Sequence, residues 1–139
     1  MSDSPAVVLR TAAARVRETA RGATRGPWAA EESREHGFRV GTSDGQEWVA
    51  WTGAYDDEPD PSRADAAWIA LMHPGLAEPL AAWLEETADL HEQNTLPGHA
   101  NIIPPGCQWC ADEDWPCADT RRALAVAHII LGTTKETPS

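Results

Sequence analysis

All three cysteines of this chain stand close together, as Cys107-Gln108-Trp109-Cys110 followed by Cys117. They close a stretch, 95–117, that carries five prolines and glycines before Cys107. Such a segment cannot be regular helix or sheet, because proline lacks the backbone donor and glycine is conformationally loose. A bound metal gives it a reason to be ordered. The CxxC spacing lets two thiolates reach one tetrahedral ion from a tight turn, which is the usual knuckle of structural zinc, and Cys117 adds a third sulfur. Closely spaced cysteines in odd number, in a reducing compartment, read as metal or redox groups before structural disulfides. Inert buried thiols and a reversible disulfide are the competing readings. A thioredoxin-like motif fits least, since Cys110 leads into Ala-Asp-Glu-Asp and not into a helix after a parallel strand.

A tetrahedral site needs a fourth donor, and His91, His99, His128, Asp112, Asp114 and Asp119 are near enough in sequence to be considered. His128 lies eleven residues past Cys117 along one expected helix, about 16 Å of rise, too far for both to reach one ion. It reads as a core-edge histidine. His91 falls at the end of an expected helix on its apolar side, where a ligand is held rigidly, whereas His99 sits in the Gly- and Pro-rich loop. The preferred metal set is therefore His91, Cys107, Cys110 and Cys117, with His99 as the second choice for the fourth place. With three Cys and one His every position is filled by protein, so a zinc there is structural and not catalytic. Trp109 and Trp115 flank the cysteines and are expected to shield the thiolates.

The remainder reads as one α+β domain over residues 1–132 with a flexible polar tail at 133–139. Ser4-Pro5 starts a helix, since Ser caps free N–H groups and Pro suits the first helical position. Leu9, Ala13, Val16 and Ala20 give it an apolar stripe, and Arg10, Arg17, Arg21 and Arg25 share a neighbouring face. Gly22 and Gly26-Pro27 end it. Residues 28–55 read as a small antiparallel β-meander, with a turn at Thr42-Ser43-Asp44-Gly45 and a less secure first strand near Trp28–Glu32. Strict alternation places Trp48 and Trp51 on opposite faces, one packed inward, so that they cannot share one platform. The acidic run Asp56–Pro61 reads as a loop. Three helices then follow within the helical part, 62–131. The first opens at a Ser62/Asp65 capping box and runs through Trp68, Ile69, Leu71 and Met72 to Pro74-Gly75. The second carries Leu76, Leu80, Trp83, Leu84, Leu90 and His91 on or beside its buried face and closes near Asn94, and these two helices are expected to carry most of the core. The last begins near Cys117, passes through Leu124, Ala127 and Leu131, and is capped by Gly132.

Charge narrows the function classes. The 139 residues carry a net −11, which argues against coating nucleic acid, whose affinity comes from Lys and Arg neutralising phosphates. Residues 1–25 are a local exception at +3, against −14 for the rest. No stretch approaches the ~20 apolar residues of a membrane span, and arginines interrupt any secretory run, so a cytoplasmic protein is expected. His36 and His73 lie near no recognisable nucleophile motif, and no phosphate-cradling glycine loop is present. His73-Pro74-Gly75 reads as a helix junction with an exposed imidazole.

Gly26-Pro27-Trp28 before a meander, Asp65-Ala-Ala-Trp-Ile-Ala, Leu90-His91, the CxxC and Trp115-Pro116-Cys117-Ala-Asp-Thr-Arg together resemble small actinobacterial, Streptomyces-type proteins and those of their phages and integrated elements. The resemblance covers about residues 26–131 and implies no activity, since none is assigned to that group. It implies that the helix-final Leu-His supplies the ligand, favouring His91. The expectation is a non-enzymatic acidic binding or accessory protein with a structural zinc knuckle and a protein partner. A nucleic-acid-associated factor using Arg10, Arg17, Arg21 and Arg25 is the alternative, and an enzyme is the third.

Overall fold

A computed structural model describes residues 3–33, 35, 37–53, 62–93, 106–110 and 114–133. Its architecture is α+β, as expected. In chain order it has α1 (Pro5–Arg21), β1 (Trp28–Ser33), β2 (Gly37–Thr42), β3 (Trp48–Gly53), α2 (Ser62–Leu71), a short 3-10 turn (Pro74–Leu76), α3 (Ala77–Leu90) and α4 (Ala118–Leu131). The expected acidic loop after Tyr55, His36, the helix end at Asn94 and most of the tail lie outside the described residues. The chain divides into two compact units, residues 1–19 with 78–139, and residues 20–77.

The first unit is helical. Ser4 caps α1, its Oγ accepting the Val7 N–H at 3.3 Å, ahead of Pro5 at the first helical position. Leu9, Ala12 and Ala13 of α1 pack with Ala81, Leu84 and Ala88 of α3 and Ala123 and Ala127 of α4. The core of this unit is therefore mainly alanine, contributed by all three helices, where large apolar side chains from the two middle helices were expected. Small side chains at a contact let helix axes approach closely. The indole of Trp83, expected in that core, is exposed instead. Along α1, Arg10 pairs with Asp89 at 2.8 Å. Arg17 grips Glu78 through Nε and Nη2 and also reaches Glu85. Two members of the arginine face thus hold carboxylates of α3. Gly132 ends α4 at φ 69°, the left-handed geometry in which glycine closes a helix, with Thr133 N–H donating to the His128 carbonyl.

The second unit is a three-stranded antiparallel meander, β1-β2-β3, with α2 on one face. Val40 at the centre of β2 is fully buried against Ala66 and Ala70 of α2, with Trp28, Phe38, Val49, Ala50 and Ile69 around them. The turn after β2 is anchored by Asp44, whose Oδ1 accepts the Thr42 hydroxyl at 2.6 Å and the Gln46 N–H at 3.0 Å. These two bonds hold the Asp44 carboxyl below the usual carboxylate range, against a smaller upward push from burial. Gly45, at φ 76°, supplies the turn's left-handed residue.

The sheet corrects one sequence expectation outright. Gly41 pairs with Trp48 and Val40 with Ala50, so two residues of β3 oppose one step of β2 across Val49. This β-bulge breaks the alternation. Val49 and Ala50 both face the α2 side, whereas Trp48 and Trp51 both lie on the opposite face. Arg39, directly opposite Trp51, stacks its guanidinium 4.3 Å from the Trp48 ring centre and is held by Glu31 at 2.7 Å. Neither indole is packed inward: Trp48 is 53% and Trp51 58% exposed.

Helix α2 also turns less apolar surface inward than its sequence suggests, for Trp68, Leu71 and the following Met72 are exposed while Ala66 and Ala70 are buried. Ser62 is buried at its start, and Gly53 must lack a side chain, since a Cβ there would fall 1.9 Å from Ser62 Oγ. His73 does stand at the helix junction, though half-buried. Its Nδ1 accepts the Gly75 N–H at 3.0 Å, so the imidazole caps the 3-10 turn.

Candidate metal centre

Helix α3 ends at Leu90, and the His91 N–H still donates to the Thr87 carbonyl at 3.0 Å, so His91 is fixed by the last helical turn. Its side chain is 9% exposed. The chain then runs extended. Gln93 forms an isolated antiparallel bridge with Cys107, and the Gln108 N–H donates to the Glu92 carbonyl at 2.9 Å. This short pairing lays the cysteine segment alongside the end of α3. Gly106, at φ 114°, makes the approach in a backbone conformation that a side chain would oppose. Cys117 is the N-cap of α4, and its carbonyl accepts the Arg121 N–H at 2.8 Å.

These local rules converge on one point. His91, Cys107, Cys110 and Cys117 offer four donor atoms that all lie within 4.8 Å of one another and can hold a metal ion. The His91 Nδ1 stands 3.5 Å from Cys107 Sγ and 3.4 Å from Cys117 Sγ. A tetrahedral ion with bonds of about 2.0–2.1 Å to nitrogen and 2.3 Å to sulfur places neighbouring N and S donors about 3.6 Å apart. Cys107 and Cys117 are buried and Cys110 is exposed, so the group opens to solvent on one side.

The Cys117 thiol is subject to opposing influences. Burial pushes it up, but the Thr120 hydroxyl at 3.1 Å, the Thr120 backbone N–H and the neighbouring thiols of Cys110 and Cys107 outweigh that and hold it below its ordinary value. Thiolate is the form a metal takes, so the start of α4 favours the form of this sulfur that can bind one. Sequence reasoning missed Thr120. Its signal was the Cys-x-x-Thr spacing, in which a helix N-cap and the residue three further on face each other.

Other candidates fall elsewhere. His99 and Asp112 lie outside the described residues. Among the described residues, Asp114, Asp119 and His128 are not in the four-donor group. His128 is held near the other end of α4 by Thr133 Oγ1 at 2.7 Å. Trp109 is 64% exposed and turns away from a shielding role, whereas Trp115 is partly buried. No helix among the described residues is long and apolar enough to cross a membrane. No family model, curated protein or solved structure matches the chain.

Proposed function

We propose that this chain is a small acidic, non-enzymatic binding or accessory protein whose cysteine segment is pinned by one structural zinc ion, held by His91, Cys107, Cys110 and Cys117. The observation that carries the reading is the donor spacing, with an imidazole nitrogen 3.4–3.5 Å from two sulfurs in a largely buried setting. Three sulfurs and one imidazole suit zinc over harder ions, which prefer oxygen donors. Four protein donors leave no open position for an activated water, which favours a structural over a catalytic ion. Thiolate donors fit a reducing, cytoplasmic setting.

The net charge of −11 weighs against a phosphate backbone as the ligand, so a protein partner is the favoured reading. Contact with nucleic acid through Arg10, Arg17, Arg21 and Arg25 is the weaker reading, since Arg10 and Arg17 already engage carboxylates of α3. The deciding experiment is elemental analysis of untagged protein purified without added metal, beside His91→Ala and Cys107→Ser. About one zinc per chain, lost in both variants with a lowered melting temperature, is expected. Metal-free wild type with three titratable thiols and an unchanged fold would remove the proposal.

A further inference from the structure

We propose that Asp119 is a positioning residue for this centre: its carboxylate accepts the Nε2–H of His91 and so fixes Nδ1 as the nitrogen that binds metal. This rests on the zinc reading above. A neutral imidazole carries its proton on one nitrogen and offers the other as donor, and the partner of the protonated nitrogen decides which is which. Nδ1 of His91 faces the sulfurs of Cys107 and Cys117. Nε2 faces Asp119 Oδ2 at 3.8 Å. Ordinary N–H···O length lies about 1 Å closer, within the reach of a half-exposed aspartate side chain. The other oxygen, Oδ1, is 3.5 Å from Arg122 Nη1, which leaves Oδ2 directed at the imidazole.

The arrangement follows from one helix start. Cys117 caps α4, so the first turn of that helix delivers a sulfur to one side of His91 and a carboxylate to the other. Carboxylates that orient ligating histidines raise ligand basicity and hold the ring in place, and their loss weakens metal binding. An aspartate in a first turn also complements the helix dipole, a role that needs no metal. The test must separate the two.

In zinc-loaded full-length protein labelled with nitrogen-15 in histidine, long-range proton–nitrogen correlation is expected to show metal on Nδ1 and the proton on Nε2 of His91. Chelator competition should give Asp119→Ala and Asp119→Asn a zinc affinity 10–100-fold below wild type, with Asp119→Glu restoring most of it. Arg122→Ala, which leaves the carboxylate in place, should stay close to wild type. Melting of the zinc-free proteins reads the helix-dipole part separately. Coordination through Nε2, or wild-type affinity in Asp119→Ala, overturns the role of Asp119 while leaving the zinc reading intact. Wild type that takes up no zinc overturns both.

Discussion

Cys117 is at once a helix cap, a buried thiol and one corner of the four-donor group, and Thr120 lets these roles coexist. The threonine hydroxyl and backbone N–H favour the thiolate, while burial alone would favour the thiol. A thiol whose folded-state value is lowered adds stability that is fully present above its unfolded value, about 8.5, and is lost as pH falls through the folded value. Thr120→Val removes the hydroxyl but keeps the shape. In zinc-free protein the stability gap between wild type and Thr120→Val is therefore expected to be widest at alkaline pH and to shrink as pH falls, read by urea unfolding at a series of pH values. A gap independent of pH would place Thr120 in packing alone. With zinc present, the same variant should need a higher pH for half-loading, because the proton competes better for the sulfur. Trp109 offers the contrast. Its largely exposed ring has little packing to lose, so Trp109→Ala should keep the zinc content and stay within about 0.5 kcal/mol of wild-type stability.

At the scale of elements, the sequence marks ends well and faces poorly. Ser4-Pro5, Pro74-Gly75 and Gly132 each punctuate the chain by local chemistry, and the helices start and stop beside them. Such signals are legible because a cap or a breaker acts on its own few residues. Faces depend on register, and the bulge across Val49 shows how one residue changes the outcome: Trp48 and Trp51 share a surface that strict alternation forbids. Nothing in Trp48-Val-Ala-Trp51 announces the extra step. The cap at the end of α4 gives a clean measure of a local signal. A Cβ at Gly132 would meet nothing within 4 Å, so Gly132→Ala changes backbone conformation alone. At φ 69° an alanine is strained by roughly 1–2 kcal/mol, and urea unfolding is expected to show that loss. Gly132→Asn should lose less, since asparagine tolerates the left-handed region. Equal stability of all three would mean that α4 frays before Gly132.

On the scale of the molecule, the division of labour between the two units is what sequence patterning obscured. Leu and Trp in α2 and α3 look like the core, yet the helical unit closes on Ala12, Ala13, Ala81, Ala88, Ala123 and Ala127 beside Leu9 and Leu84. Alanine contributes little to an amphipathic pattern because it is weakly apolar, so a core built on close helix approach is faint in one sequence. The four-donor group was legible for the opposite reason: CxxC spacing is a short-range constraint, and a helix-final histidine is a rigid donor. All four donors belong to the helical unit, on the last turn of α3, the cysteine segment and the first turn of α4. That unit joins residues 1–19 to 78–139, and the described part of the cysteine segment is tied to the chain after α3 by the Gln93–Cys107 bridge and the Gln108–Glu92 hydrogen bond, short restraints to which others can add. A zinc ion that ties the end of α3 to the start of α4 would add to them. Removing it with a strong chelator should therefore raise amide hydrogen exchange at Thr87–Gln93, Gly106–Cys110 and Cys117–Arg121. Protection in β1–β3 and α2, whose core is Val40 with Ala66 and Ala70, should remain near that of the loaded protein. The pattern is decisive because the alternatives differ in place as well as size. Inert buried thiols predict no change with chelator anywhere, and a metal that holds up the whole chain predicts loss of protection in the sheet together with the helices.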